Sequence, residues 1–294
     1  MATICVDGSR RYYYLQTRGQ WYVLDNQSTP VGMGAVGVVF KGYNYYTKEP
    51  VAIKMVRPEY ASIPAIRERA KYEAQLTFLH PNVVRMLGVC EFDNKTGPIY
   101  LVSEFVNGFN FDIYCRKSFG VVKTNLRVSQ ILKQSVKILN ALDYIHRAGV
   151  IHRDVKPSNI MIGSDNEPKL MDLGIAGCVN SKFLSQNSFI GTALYAAPEL
   201  INNSVVDHRT DIYAMGVTLF EVLAGYNPFA AETEEQVLEN HMLHNLPEDV
   251  NIPKKILTVL RRATSKNKAD RFDSAHEFAE EIINYAPYPI VISA

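Results

Sequence analysis

The sequence predicts an α+β chain, a small, mainly antiparallel sheet region with one main helix followed by a larger, mainly helical region. Three observations carry that expectation. β-Branched and aromatic runs punctuated by turn residues fill the first hundred positions. Helical periodicity dominates after Phe105. The change falls at residues 106–110, where Asn107-Gly108 marks a turn. A chain of 294 residues with 47% hydrophobic content can bury cores for both regions.

In chain order, residues 3–6 and 12–16 flank Asp7-Gly8 and read as a hairpin. Strands are expected at 36–43, 50–56, 84–92 and 100–104, interrupted by a helix at 66–79. Over 127–148 the apolar residues Val128, Ile131, Leu132, Val136, Leu139, Leu142 and Ile145 recur at the spacing of a helix with one buried face. Later helices are expected at 210–224, 234–243, 254–264 and 274–284. The chain therefore divides into an N-terminal extension (1–30), a sheet region (31–106) and a helical region (107–294).

Charge and cysteine content exclude several classes of function. Lys and Arg total 31 against 30 Asp and Glu, so no global charge draws the chain to nucleic acid or to an anionic membrane. The tyrosines at 12–14 and at 43, 45 and 46 lack a basic stripe, and strand packing explains them better than base stacking. Cys5, Cys90, Cys115 and Cys178 are scattered, with no CxxC pair, which suits a reducing compartment. No stretch approaches 18 uninterrupted apolar residues, so membrane insertion of this chain is not expected and a cytoplasmic location is. His241 and His244 lie three apart without a third ligand at a recognised spacing, and read as packing or surface residues.

The motifs point to phosphate chemistry. Gly32-Met33-Gly34-Ala35-Val36-Gly37-Val38-Val39 is a GxGxxGxV pattern, whose glycines let backbone amides approach phosphate oxygens. Taken alone it fits a turn or a dinucleotide fingerprint, but the fingerprint opens a helix and 38–40 continue as strand. Val51-Ala52-Ile53-Lys54 then puts one cation on an otherwise apolar strand. His152-Arg153-Asp154-Val155-Lys156-Pro157-Ser158-Asn159 combines a base, a cation and a metal-ligating amide, and Met171-Asp172-Leu173-Gly174 adds a carboxylate. In-line phosphoryl transfer requires a group to orient the acceptor hydroxyl and take its proton, together with cations to meet the phosphate charge.

These motifs, with Gly191-Thr192-Ala193-Leu194-Tyr195-Ala196-Ala197-Pro198-Glu199, resemble the catalytic domain of eukaryotic-like (Hanks-type) serine/threonine protein kinases over residues 31–285, with a flavour of the bacterial members. The resemblance implies a bilobal fold and ATP- and Mg²⁺-dependent transfer of the γ-phosphate to Ser/Thr hydroxyls of protein substrates, with Mn²⁺ as a substitute metal and autophosphorylation. It casts Asp154 as the base, Lys156 as a γ-phosphate contact, Lys54 as the α/β-phosphate lysine, and Asn159 and Asp172 as metal ligands. Gly32, Gly34 and Gly37 cover the phosphates. Val39, Ala52 and Met161 sandwich the adenine, with Glu104 and Val106 offering backbone hydrogen bonds to its edge beside the small residue Ser103. The glutamate that orients Lys54 is Glu73 by spacing from the lysine, with Glu68 as the alternative. Leu173 stands where the family more often has Phe, a packing role that Leu also fills. Asp211 is expected to brace the catalytic loop and Arg271 to pair with Glu199.

Two rival readings fit the motifs less well. A pseudokinase, a nucleotide-binding scaffold without turnover, is disfavoured by retention of Lys54, Asp154, Asn159 and Asp172. A small-molecule phosphotransferase is disfavoured by the 197–199 segment and Lys156-Pro157. Arg153, preceding the base, suggests pairing with a phosphorylated Ser181, Ser185 or Ser188.

Overall fold

The β-branched and aromatic runs of the first hundred positions form a single eight-stranded antiparallel sheet in the computed structural model. The structure describes the backbone of residues 2–7, 10–25, 27–34, 37–92, 96–119, 125–173, 177–178, 193–287 and 289–290, and side-chain surroundings for these apart from 2–7, 10–11, 119 and 177–178. The chain falls into two units, Met1–Leu79 with Val83–Asn107, and His80–Asn82 with Gly108–Ala294.

In the first unit β1 (Ala2–Asp7), β2 (Arg10–Thr17), β3 (Gln20–Asp25), β4 (Gly32–Met33), β5 (Gly37–Asn44) and β6 (Pro50–Val56) precede α1 (Pro58–Ala61) and α2 (Pro64–Gln75), and β7 (Met86–Glu91) and β8 (Ile99–Glu104) complete it. The sheet order is β1-β2-β3-β5-β6-β8-β7, with β4 paired to β5. The Asp7-Gly8 turn expected between β1 and β2 lies outside the described residues, although the register runs to Asp7↔Arg10. Residues 2–25 are three strands of this sheet, and β3, absent from the sequence expectation, uses the apolar run 21–24.

The period of two sorts β8 cleanly. Tyr100 and Val102 join Leu15, Tyr22, Leu24, Val51, Ile53 and Cys90 in one cluster. Ile99 and Leu101 join Val56, Ala61, Ala70, Ala74 and Met86 in the cluster that α2 covers. Helix α2 starts at Pro64, whose fixed φ suits the first helical position. It ends at Gln75, four residues before the sequence expectation, because Leu76 is extended (φ −68°, ψ 98°) and the chain turns to bury Phe78.

The second unit contains β9 (Gly108–Asn110), α3 (Phe111–Phe119), α4 (Asn125–Arg147), β10 (Val150–Ile151), β11 (Ile160–Gly163), β12 (Pro168–Leu170), β13 (Gly177–Cys178), α5 (Pro198–Ile201), α6 (Arg209–Ala224), α7 (Glu234–Leu243), α8 (Lys254–Ala263) and α9 (Ala275–Tyr285). Helix α4 packs on α9 and α6, and α6 on α8. Residues 210–220 of α6 are buried all round, as a central helix requires. Two small sheets, β12-β11-β9 and β10-β13, hold the loops between α4 and α5. The segment His80–Asn82 belongs to this unit through Asn82, whose carbonyl accepts from Leu170 N–H (2.8 Å) and whose Nδ2 donates to the Pro168 carbonyl (2.8 Å). No helix among the described residues is long and apolar enough to cross a membrane.

Candidate active site

The loop that follows β10 is pinned by one carboxylate. Asp211 sits in the first turn of α6, where backbone N–H groups favour a negative charge, and it is wholly buried. Its Oδ2 accepts from His152 N–H (2.8 Å) and its Oδ1 from Arg153 N–H (2.7 Å), while His146 Nε2 lies 2.7 Å from Oδ2. Burial alone would raise this carboxyl. The hydrogen bond and charge of His146 and the Arg153 N–H outweigh it and hold the carboxyl below the ordinary range. These bonds offset the left-handed backbone of Arg153 (φ 66°), a strained conformation for an arginine.

His152 carries the bracing further. Its Nδ1 accepts the Asp154 N–H (3.2 Å), which leaves Nε2 as the protonated nitrogen donating to the Met171 carbonyl (2.8 Å). The ring therefore ties the backbone of the Asp154 loop to the residue before Asp172. Met171 N–H in turn donates to the Asn159 carbonyl (2.8 Å). Asp172 itself has a left-handed backbone (φ 56°), and Leu173 beside it is buried.

Two predicted residues converge on the carboxylate of a third, Asp154. Lys156 Nζ lies 2.9 Å from Asp154 Oδ1 and 2.7 Å from Oδ2. Asn159 Nδ2 donates to Asp154 Oδ2 (2.7 Å) and to the Asp154 carbonyl (2.8 Å). With the amide nitrogen committed to Asp154, the amide oxygen is the atom that Asn159 can offer a cation. An amide oxygen and a carboxylate such as that of Asp172 are hard oxygen donors, the ligand type that Mg²⁺ and Mn²⁺ take.

In the sheet unit, Gly34 N–H donates to the Gly37 carbonyl (2.9 Å), closing the glycine turn between β4 and β5. Ala35 and Val36 lie outside the described residues. A Cβ on Gly37 would stand 2.9 Å from the Met55 carbonyl and 3.3 Å from Lys54 Cγ, so only glycine fits there. Gly32 and Val39 are register partners, as are Val39 and Lys54, and Ala52 is two residues from Lys54 on the same sheet face. That face also carries Val56, which packs in the cluster under α2. On α2, Glu73 is 4% exposed and lies on the buried stripe with Arg67, Ala70 and Ala74, whereas Glu68 is exposed. Glu104 is fixed by Arg85, whose N–H donates to Oε1 (2.9 Å) and whose carbonyl accepts Glu104 N–H (3.0 Å). Val106, just beyond β8, is half-buried, and Ser103 is paired with Ala52. In the other unit Met161 is half-buried on β11.

Beyond the site, Arg271 and Glu199 form a buried fork, NH1 to Oε1 and NH2 to Oε2, both at 2.8 Å. Burial would raise Glu199, but Arg271 and the Thr210 hydroxyl (2.7 Å) hold it below its ordinary value. The expected pairing of Arg271 with Glu199 and bracing by Asp211 are both present. His241 is a packing residue, fully buried and 2.9 Å from the Tyr213 hydroxyl. Sequence reasoning missed His146 and Thr210, which carry no local motif, and the Tyr195 hydroxyl, which donates to Glu221 (2.7 Å) beneath the 193–195 turn. Gly174, Ser181, Ser185, Ser188 and Thr192 lie outside the described residues.

Residues 26–288 match the protein kinase domain. The chain is similar to serine/threonine-protein kinase PknH of Mycobacterium tuberculosis, at 34% identity over 256 residues, covering 85% of this chain and 40% of that protein. It is also similar to PknB of Mycobacterium leprae (31% over 264 residues, 86% and 41%) and PknB of Mycolicibacterium smegmatis (30% over 267 residues, 86% and 41%). The chain thus spans about two fifths of the length of these relatives.

Proposed function

The chain belongs to the protein kinase family, and we propose that it transfers the γ-phosphate of ATP to Ser and Thr hydroxyls of protein substrates, itself included. The observation that carries this reading is the convergence of Lys156 and Asn159 on the Asp154 carboxylate. Asp154 accepts the proton of the attacking hydroxyl as its oxygen bonds to the γ-phosphorus and the bond to the ADP oxygen breaks. Lys156, already beside that carboxylate, meets the charge of the transferred group. Asn159 and Asp172 hold Mg²⁺ or Mn²⁺, which when bound neutralises phosphate charge. Lys54 holds the α- and β-phosphates under the turn of Gly32, Gly34 and Gly37, and Glu73, the buried member of the two helix glutamates, orients it. Val39, Ala52 and Met161 contact the adenine, and the backbone of Glu104 and Val106 meets its edge.

The relatives are named as serine/threonine kinases, and Lys156 after the base accords with that class. The division at residues 106–107, a signalling role and a cytoplasmic location for this chain belong to the same reading. The experiment is incubation of the protein with labelled ATP, Mg²⁺ and a generic protein substrate, beside Asp154→Asn and Lys54→Met. Transfer lost in both variants is expected, and equal labelling in all three overturns the proposal. Phosphopeptide mapping extends it: phosphate within residues 181–192 of active protein, absent from Asp154→Asn, is the expected mark of autophosphorylation.

A further inference from the structure

The hairpin β2–β3 turns through Arg18 (φ 48°) and Gly19 (φ 75°), both left-handed. Two-residue turns of this hand favour Asn or Asp before the glycine, and arginine at φ 48° is strained. A strained residue persists where its surroundings over-determine it, and here the surroundings are α2 and β7. Arg18 NH2 donates to the Ala74 carbonyl (2.5 Å) and NH1 to the Met86 carbonyl (3.3 Å). Ala74 is in the last turn of α2, whose carbonyls have no intrahelical partners, and α2 has no basic residue of its own in that turn. The guanidinium supplies the missing cation.

The rest of the hairpin tip is seated on β7. Gly88 (φ 149°) packs so closely on Thr17 that a Cβ would stand 2.1 Å from the Thr17 hydroxyl. Cys90 Sγ donates to the Gln16 carbonyl (3.2 Å). Leu15 is fully buried in the cluster that includes Cys90. The contacts join the N-terminal strands, the helix and β7 within one unit, and Ala74 directly follows Glu73 in sequence.

We propose that the N-terminal hairpin is a built-in prop for α2, and that Arg18 is a positioning residue for catalysis acting through Glu73. The proposal rests on the reading that Glu73 orients Lys54. By capping the last turn of α2, Arg18 fixes the rotation and axial position of the helix where Glu73 emerges, so the chain carries its own device for holding that helix. In its absence the helix keeps its apolar stripe on the sheet but loses the cation and the β7 tether at its C-terminal end.

The test is a double-mutant cycle with Arg18→Gly and Glu73→Gln, reading kcat and the KM for ATP at saturating protein substrate. Arg18→Gly removes the guanidinium while relieving the left-handed backbone, so misfolding does not explain a loss, and an unchanged melting temperature verifies this. Arg18→Gly is expected to lower kcat by about tenfold in the wild-type background, and by less than about twofold in Glu73→Gln. An equal loss in both backgrounds, or wild-type kcat in Arg18→Gly while Glu73→Gln is impaired, overturns the prop. Wild-type kcat in Glu73→Gln alone instead removes the reading of Glu73 on which the prop rests, and the prop with it.

Discussion

Asp154 is held by two side chains and a histidine, yet only it is placed to take a proton. Asp154→Asn keeps the Asn159 and His152 contacts and removes the base, so kcat is expected to fall by about 10²–10⁴-fold with ATP affinity little changed, measured by transfer kinetics and nucleotide titration. Asp211 is different: it touches no reacting group. Asp211→Ala leaves two backbone N–H groups and His146 without their buried acceptor. A loss of about 3–5 kcal/mol is expected in denaturant unfolding, larger than a surface change would cause. At this scale the catalytic loop was readable because base, cation and amide are adjacent in sequence. His146 was not, since its partner Asp211 lies 65 positions away and nothing local marks the pair.

Among elements, the glycine turn and the Arg271–Glu199 fork give separable expectations. Gly37→Ala places a methyl against the Met55 carbonyl and the Lys54 stem. The KM for ATP is expected to rise, with destabilisation of about 1–3 kcal/mol. Arg271→Ala strands Glu199 in the interior and is expected to cost about 3–5 kcal/mol by thermal or denaturant unfolding, whereas Arg271→Lys keeps the charge but not the fork and falls between. Periodicity located α4, α6, α7, α8 and α9 within a residue or two. The end of α2 was overrun because Leu76 and Phe78 extend the apolar pattern while the backbone has already left the helix. The strand β3 and the hairpin prop escaped notice because Arg18 stands where such a turn usually has Asn or Asp, and its partners are distant in sequence.

For the whole molecule, three buried groups contribute to the response to acid. His241 is pushed by burial, and then by nearby Lys266, from 6.5 to about 4, although the carbonyls of Leu194 and Ala193 favour its proton. The unfolded chain therefore binds a proton between pH 6.5 and 4 that the folded chain refuses, and stability falls as pH drops through that window, by roughly 3 kcal/mol at its end. Glu199 and Asp211 have lowered values, so their contribution is present above the ordinary carboxylate pKa of about 4 and is lost as pH falls through their folded values. Urea titrations from pH 7 to 4 check the sign, and His241→Gln is expected to flatten the upper window alone. The broad division into a sheet-rich and a helix-rich region was legible from composition, but the assignment of His80–Asn82 to the helical unit was not, because it depends on Asn82 meeting β12. The central claim is Ser/Thr phosphoryl transfer with Asp154 as base, and phosphoamino-acid analysis of a generic protein substrate after incubation with ATP and Mg²⁺ tests it most directly. Phosphoserine and phosphothreonine from the wild type, reduced at least about a hundredfold by Asp154→Asn, is the predicted result. Product formed at the wild-type rate by Asp154→Asn, or phosphate found chiefly on tyrosine, would contradict it.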